Sequence, residues 1–158
     1  MILNTWSDSL CSPVVTVREA TPSDDRFLWE CLATLRGGAR YTTEQLSHFL
    51  RLHVGSSCSI LIAEANNWPV GMITCNQFLM PRYIGIGVEL EEVVIHPNHQ
   101  GRGLARPMLK ACVARYLADP TVRRITVHSD DRGRAMRLYT DLFTPANVQR
   151  YAIRGTPV

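Results

Sequence analysis

Three carboxylates, Glu89, Glu91 and Glu92, stand in an otherwise apolar, β-branched run that continues through Val93, Val94 and Ile95 to His96 and Pro97. A carboxylate is costly to bury without a partner, and in such surroundings its pKa can rise toward the range of a general base. Directly downstream comes Gln100-Gly101-Arg102-Gly103-Leu104-Ala105, after which apolar residues recur at helical spacing through Met108, Leu109, Cys112, Val113 and Leu117. The order is strand, short glycine-rich loop, helix. The first backbone N–H groups of a helix lack intrahelical partners and carry part of the positive macrodipole, so this loop is built to bind an anion. Gly101 and Gly103 would let a bulky anion approach the backbone closely, and Arg102 and Arg106 add positive charge there. Pro107 cannot sit deep in a helix without losing a hydrogen bond, which predicts a helix start near Gly103 or Leu104.

The loop lacks the Lys-Ser/Thr of a P-loop and the third glycine of a dinucleotide fingerprint. Taken with the Val-Val-Ile-His-Pro strand end before it, the pattern Gln/Arg-x-x-Gly-x-Gly/Ala resembles the acetyl-CoA-binding motif of the GNAT superfamily of N-acetyltransferases. The resemblance implies acetyl-CoA as cosubstrate and no metal. It implies that the backbone of Val93, Val94 and Ile95 pairs with the pantetheine arm, while Gln100, Gly101, Arg102, Gly103, Leu104 and Ala105 hold the pyrophosphate. Glu89, eleven residues before Gln100, stands where some members place the general base, and Glu91 is the neighbour that could substitute for it. Strand alternation puts residues 89, 91, 93 and 95 on one face and turns Glu92 away.

The late Ala135-x-x-Leu138-Tyr139 stretch, with Phe143 behind it, makes Tyr139 the expected phenol near the thioester sulfur. Arg132, Arg134 and Arg137 are expected toward the outer phosphate, against the plainer reading of a solvated helix face. Here the chain departs from the family pattern: Arg132 stands in place of the usual Asn, and Leu142 directly precedes Phe143 with one residue missing. In the family the segment after the first helix commonly walls the acceptor pocket, which makes Trp29, Arg40 and Tyr41 candidate substrate contacts; ordinary packing accounts for the same residues.

The elements around these residues follow from periodicity and punctuation. Val14 to Ala20 alternates as a strand, and Thr21-Pro22-Ser23-Asp24 caps a helix carrying Phe27, Leu28, Cys31, Leu32 and Leu35 until Gly37-Gly38. A second helix starts after Thr42-Thr43-Glu44 and ends at Gly55. Cys58 to Ala65 and Pro69 to Phe78 form a hairpin about Asn66-Asn67, and a third antiparallel strand runs from about Ile84 to His96. After the long helix come a strand from Arg123 to Ser129, a helix capped by Asp130 and Asp131, and a last strand from Val148 to Ile153. The order β-α-α-β-β-β-α-β-α-β is that of the GNAT fold: mixed α/β (α+β), with a mostly antiparallel central sheet and helices on both faces.

With 158 residues and 46% hydrophobic content, the chain reads as one domain over 14–158 behind a loose arm, residues 1–13, which Trp6 could dock. A formal charge of +3 suits an anionic ligand and falls short of a nucleic-acid surface. Five cysteines, odd in number and without Cys-x-x-Cys spacing, read as small core residues of a reducing compartment. The first thirteen residues lack a basic region and a long apolar run, so neither signal peptide nor membrane span is expected and the cytoplasm is the expected location. The leading expectation is direct transfer of an acetyl group to a primary amine of a small molecule, amino acid, peptide or protein, with a homodimer as an open assembly. Two other readings are an acyl-CoA-binding or sensing module with little catalysis, and an acetyltransferase toxin acting on aminoacyl-tRNA. The modest charge argues against the toxin.

Overall fold

The computed structural model describes residues 13–52, 56–128 and 134–144. The chain divides into two compact units, one ending at His128 and one beginning at Ser129. In the first, the elements are β1 (Val15–Glu19), α1 (Asp25–Leu32), α2 (Thr43–Leu52), β2 (Cys58–Ala65), β3 (Trp68–Met80), β4 (Gly85–Ile95), α3 (Ala105–Leu117) and β5 (Val122–Val127). The second unit contributes α4 (Arg134–Leu142). The arm with Trp6, the capping pair Asp130 and Asp131, and the expected last strand lie outside the described residues.

The strands form one sheet in the order β1-β2-β3-β4-β5, antiparallel throughout except for the parallel pair β4 and β5, which α3 connects. The sequence order expected of the GNAT fold is the order found, from β1 to α4. Asn66 and Asn67 turn the β2–β3 hairpin with φ of 52° and 63°, the left-handed pair that a two-residue turn between twisted strands requires. Helices cover both faces. Leu28 and Cys31 of α1 and Leu46 of α2 pack with Ile62, Met72 and Val94 on one face. On the other, α3 lies so close that a Cβ on Gly71 would stand 2.9 Å from Met108 Sδ.

The corner from β1 into α1 is held by charge. Arg18 forks its guanidinium over both oxygens of Asp24 at 2.8 and 2.9 Å and sends Nε to Glu64 at 2.7 Å. Asp24 also accepts the Thr21 backbone N–H and hydroxyl, closing a capping box on the short helical turn at residues 22–24. The first helix ends at Leu32, five residues before the expected glycine stop. The Thr34 hydroxyl donates to the Cys31 carbonyl at 2.7 Å, and successive turns replace the helical ladder until Gly37 and Gly38 adopt φ of 98° and 64°.

The Arg18 fork lowers the Asp24 pKa from an ordinary 3.8 to about 2. A carboxylate depressed in the folded state stabilises the fold at pH values above its unfolded pKa and loses that contribution as pH falls through the folded one. Denaturant midpoints should therefore decline between about pH 4 and pH 2. Asp24→Asn should flatten that decline and cost roughly 1–3 kcal/mol at neutral pH; an unchanged pH profile in the variant would remove Asp24 from the account.

Candidate functional site

Between the pairs Ile73↔Val93 and Cys75↔Leu90, the register of β4 against β3 shifts, so that Glu91 and Glu92 together oppose Thr74. Two residues against one is a β-bulge, and it resets which side chains share a face. The Thr74 hydroxyl donates to Glu92 Oε2, and the Glu92 N–H donates to Thr74 Oγ1 at 2.9 Å. The expectation that Glu92 turns away from its neighbours, and that residues 89, 91, 93 and 95 share one face, is corrected by this bulge. Glu89 lies opposite Asn76, Glu92 beside Thr74 and Val94 opposite Met72, all on the α1–α2 face, whereas Val93 pairs with Ile73 on the α3 face.

On its other edge β4 pairs with β5 from Ile86↔Val122 to Leu90↔Val127, where the ladder stops. Among the described residues, the stretch from Glu91 to Ile95 has β3 on one side and no strand on the other. Where the strands part, Glu89 Oε1 is 2.9 Å from Nε2 of His128, the residue just past β5. In the sequence His128 reads as a residue near a strand end with no role of its own. Its register with Glu89 is a property of parallel pairing, which local patterns do not carry.

The open edge leads into the glycine loop. Gln100 folds back to donate from Nε2 to the Ile95 carbonyl at 3.1 Å. Gly101 and Gly103 adopt φ of 76° and 71°, a region that strains any residue with a Cβ, although the space around each is open. Helix α3 begins at Ala105, and Met108 N–H makes the bond to the Leu104 carbonyl at 3.0 Å. The backbone N–H groups from Gly101 to Arg106 thus precede the helical ladder, and Pro107 has none to offer.

His96 anchors the near end of the loop. Its Nδ1 accepts from the Asn98 N–H at 3.3 Å, so Nε2 carries the proton and donates to Glu30 Oε2 at 3.0 Å. The ring also stacks on Phe27 at 5.0 Å. The His96 contact, with that of Arg26, lowers the Glu30 pKa. The loop is thereby tied to α1.

A cavity of about 1000 Å³ opens between α1, α2 and the sheet, with Glu91, Glu92, Thr74 and Asn76 on its strand side and Tyr41 and Phe49 among its helical-side walls. Of the three expected substrate contacts, Tyr41 lines this cavity. Trp29 braces the loop, donating from its indole N–H to the Tyr41 carbonyl at 2.8 Å. Arg40 is exposed, with its guanidinium over Gly37.

A strand with one open edge, running into a helix start whose glycines take left-handed φ, is the local geometry that the Gln-x-x-Gly-x-Gly/Ala resemblance implies. The chain matches the acetyltransferase (GNAT) family over residues 25–143. It is a member of the GNAT acetyltransferases. Among solved structures, a ribosomal-protein-alanine N-acetyltransferase from Brucella melitensis biovar Abortus 2308 superposes with a TM-score of 0.74 at 16% identity, covering 90% of this chain and 100% of that one. A transcriptional regulator from Bacillus halodurans C-125 gives 0.72 at 19% identity, covering 89% and 99%. An aminoglycoside acetyltransferase from an uncultured soil metagenomic sample, meta-AAC0020, gives 0.67 at 14%, covering 91% and 97%. At these identities the likeness is one of fold. No match is found among curated proteins.

In this GNAT acetyltransferase the second unit presents Tyr139 edge-on to Phe143, with ring centroids 6.4 Å apart, and burial raises the phenol pKa. Arg137 is exposed on α4, while Arg132 and the Arg134 side chain lie outside the described residues. The thiols of the first unit are in contrasting settings. Burial pushes Cys31 up to about 12, and the Cys75 sulfur, with burial, raises Cys112 far above its ordinary range. Cys58 is exposed and lines the cavity beside Asn76. A hydrogen bond with Cys112 lowers the Cys75 pKa, but Cys75 is as buried as Cys31 and Cys112, and a sulfur without solvent access cannot meet a reagent whatever its protonation state. Iodoacetamide at neutral pH should therefore modify Cys58 at least about 100-fold faster than Cys31, Cys75 or Cys112, read by peptide mass spectrometry. Comparable rates at the buried thiols would contradict the packing described.

Proposed function

We propose that this GNAT acetyltransferase moves the acetyl group of acetyl-CoA directly to a primary amine held in the cavity between α1, α2 and the sheet. The observation that carries the reading is the parting of β4 from β5 after Leu90, which leaves an open strand edge leading to the α3 N-terminus beside the cavity carboxylates. Backbone groups of Val93, Val94 and Ile95 suit the amide-rich pantetheine arm, which would add to the edge like a strand. The N–H groups of residues 101–105, with Gln100 and Arg102 alongside, suit the pyrophosphate. The glycines fit that task, since the space beside each is open. When bound, acetyl-CoA supplies an activated acyl carbon and a thiolate leaving group.

Within this reading the protein's own groups divide the proton work. Glu89, partnered by His128, accepts the proton that the ammonium must lose, and Glu91 and Glu92 hold the cation at the cavity's strand side. Tyr139 returns a proton to the departing sulfur, and its raised pKa keeps the phenol protonated until then. The reading takes residues 14–158 as one catalytic domain acting in the cytoplasm. Buried free thiols at Cys31, Cys75 and Cys112 support the location.

Replacing Gly103 with Glu should abolish acetyl-CoA binding by calorimetry while circular dichroism stays unchanged, because both strain and charge oppose the pyrophosphate. Retained affinity would sink the loop assignment. Glu89→Gln should depress turnover most at low pH, where the amine is protonated, and recover partly as pH rises. Tyr139→Phe should leave acetyl-CoA affinity intact and lower turnover roughly 10 to 10⁴-fold. A parental pH–rate profile in either variant would remove that residue from catalysis.

A further inference from the structure

The chemistry of the cavity lining narrows the acceptor. Leu28, Leu46, Phe49, Ile60 and Met72 give it a largely apolar body. Its titratable charges are acidic: Glu91 and Glu92 sit together on β4, and Glu19 is drawn into an ion pair with Arg115 at 2.6 Å. Among the described residues that line it, none is Lys, Arg or His. The Thr74 hydroxyl donates to the Glu92 carboxylate and so fixes the negative end, while accepting from the Glu92 backbone N–H. A cation taken out of water needs an opposite charge, and here it has one; a carboxylate in the same cavity would find no cation among the described lining residues and would face two like charges.

Resting on the transferase reading above, we infer that the acceptor is a monocationic primary amine on an apolar body, such as an arylalkyl or alkyl amine, rather than an amino acid or a polycationic sugar. The ammonium is directed to Glu91 and Glu92, and the hydrocarbon lies along Ile60, Leu46 and Phe49. A free α-carboxylate beside the amine is repelled from the strand side of the cavity. A polyhydroxylated polycation can bond Thr21, Gln45, Thr74 and Asn76 at the margins, but lays the rest of its hydroxyl and ammonium groups against Leu28, Leu46, Phe49, Ile60 and Met72, which offer no hydrogen bonds. A cavity of about 1000 Å³ is ample for an arylalkyl amine with its acyl donor bound alongside.

The test sets tryptamine against acceptors that add a carboxylate, remove the apolar body, or replace it with a polyhydroxylated polycation. Tryptamine, tryptophan, ethylamine and kanamycin are compared as acetyl acceptors with the full chain and acetyl-CoA, and their binding is measured separately by calorimetry. Tryptamine should exceed tryptophan, ethylamine and kanamycin in kcat/KM by at least about tenfold each. Phe49→Ser, at a half-exposed position, should shrink the tryptamine-over-ethylamine preference by about tenfold. Preferred acetylation of tryptophan or kanamycin, or a preference unchanged by Phe49→Ser, overturns the inferred class and leaves the transferase reading standing. Selective tryptamine binding without acetylation of any amine upholds the class and overturns the transferase reading. Neither binding nor acetylation of tryptamine overturns both.

Discussion

Parallel strands share hydrogen bonds only while they run side by side, and β4 and β5 cease to do so after Leu90 and Val127. Among the described residues, the backbone groups of β4 beyond that point which turn from β3 have no partner strand. An open strand edge is a liability in water and costs more where it is enclosed, unless another chain or a ligand completes it. Much else in the first unit can be understood as what makes use of that break. The bulge at Glu91 and Glu92 lies just beyond the last β4–β5 pair, and it adds local twist to β4. The same bulge brings Glu92 against Thr74 and puts both carboxylates on the cavity side.

The open edge would be of little use without an anchor at its end. Ile95 leads through the His96 turn to the glycine loop, and two contacts fix the loop's near end. Gln100 holds the Ile95 carbonyl, and His96 ties the turn to Glu30 on α1. Since α1 is itself set by the Arg18–Asp24 fork at the β1 corner, the loop and the cavity wall share one support. Disturbing that corner should therefore affect both.

Some of this was legible in the amino-acid sequence because certain residues have few structural options. Glycines at 101 and 103, with proline at 107, leave little freedom over where a helix starts, and α3 starts at Ala105, one residue after Leu104. The asparagine pair gave the hairpin, and Thr21 to Asp24 gave the cap. Period-two counting assumes an unbroken pleat, so it assigned Glu92 to the wrong face as soon as a bulge intervened. The Glu89–His128 contact depends on the offset between two parallel strands separated by a helix, which no local pattern encodes. The bond from the Trp29 indole N–H to a backbone carbonyl twelve residues on is likewise a tertiary contact that residue type and local pattern do not encode.

The central claim is that the β4 edge past Leu90 and the amides ahead of α3 form one continuous binding track for acetyl-CoA. Hydrogen–deuterium exchange with and without acetyl-CoA, resolved to single amides, tests it directly. The account predicts slowed exchange both at outward-facing amides within residues 91–95 and at amides 101–106. Protection confined elsewhere, with these two stretches exchanging at their ligand-free rates, would contradict it.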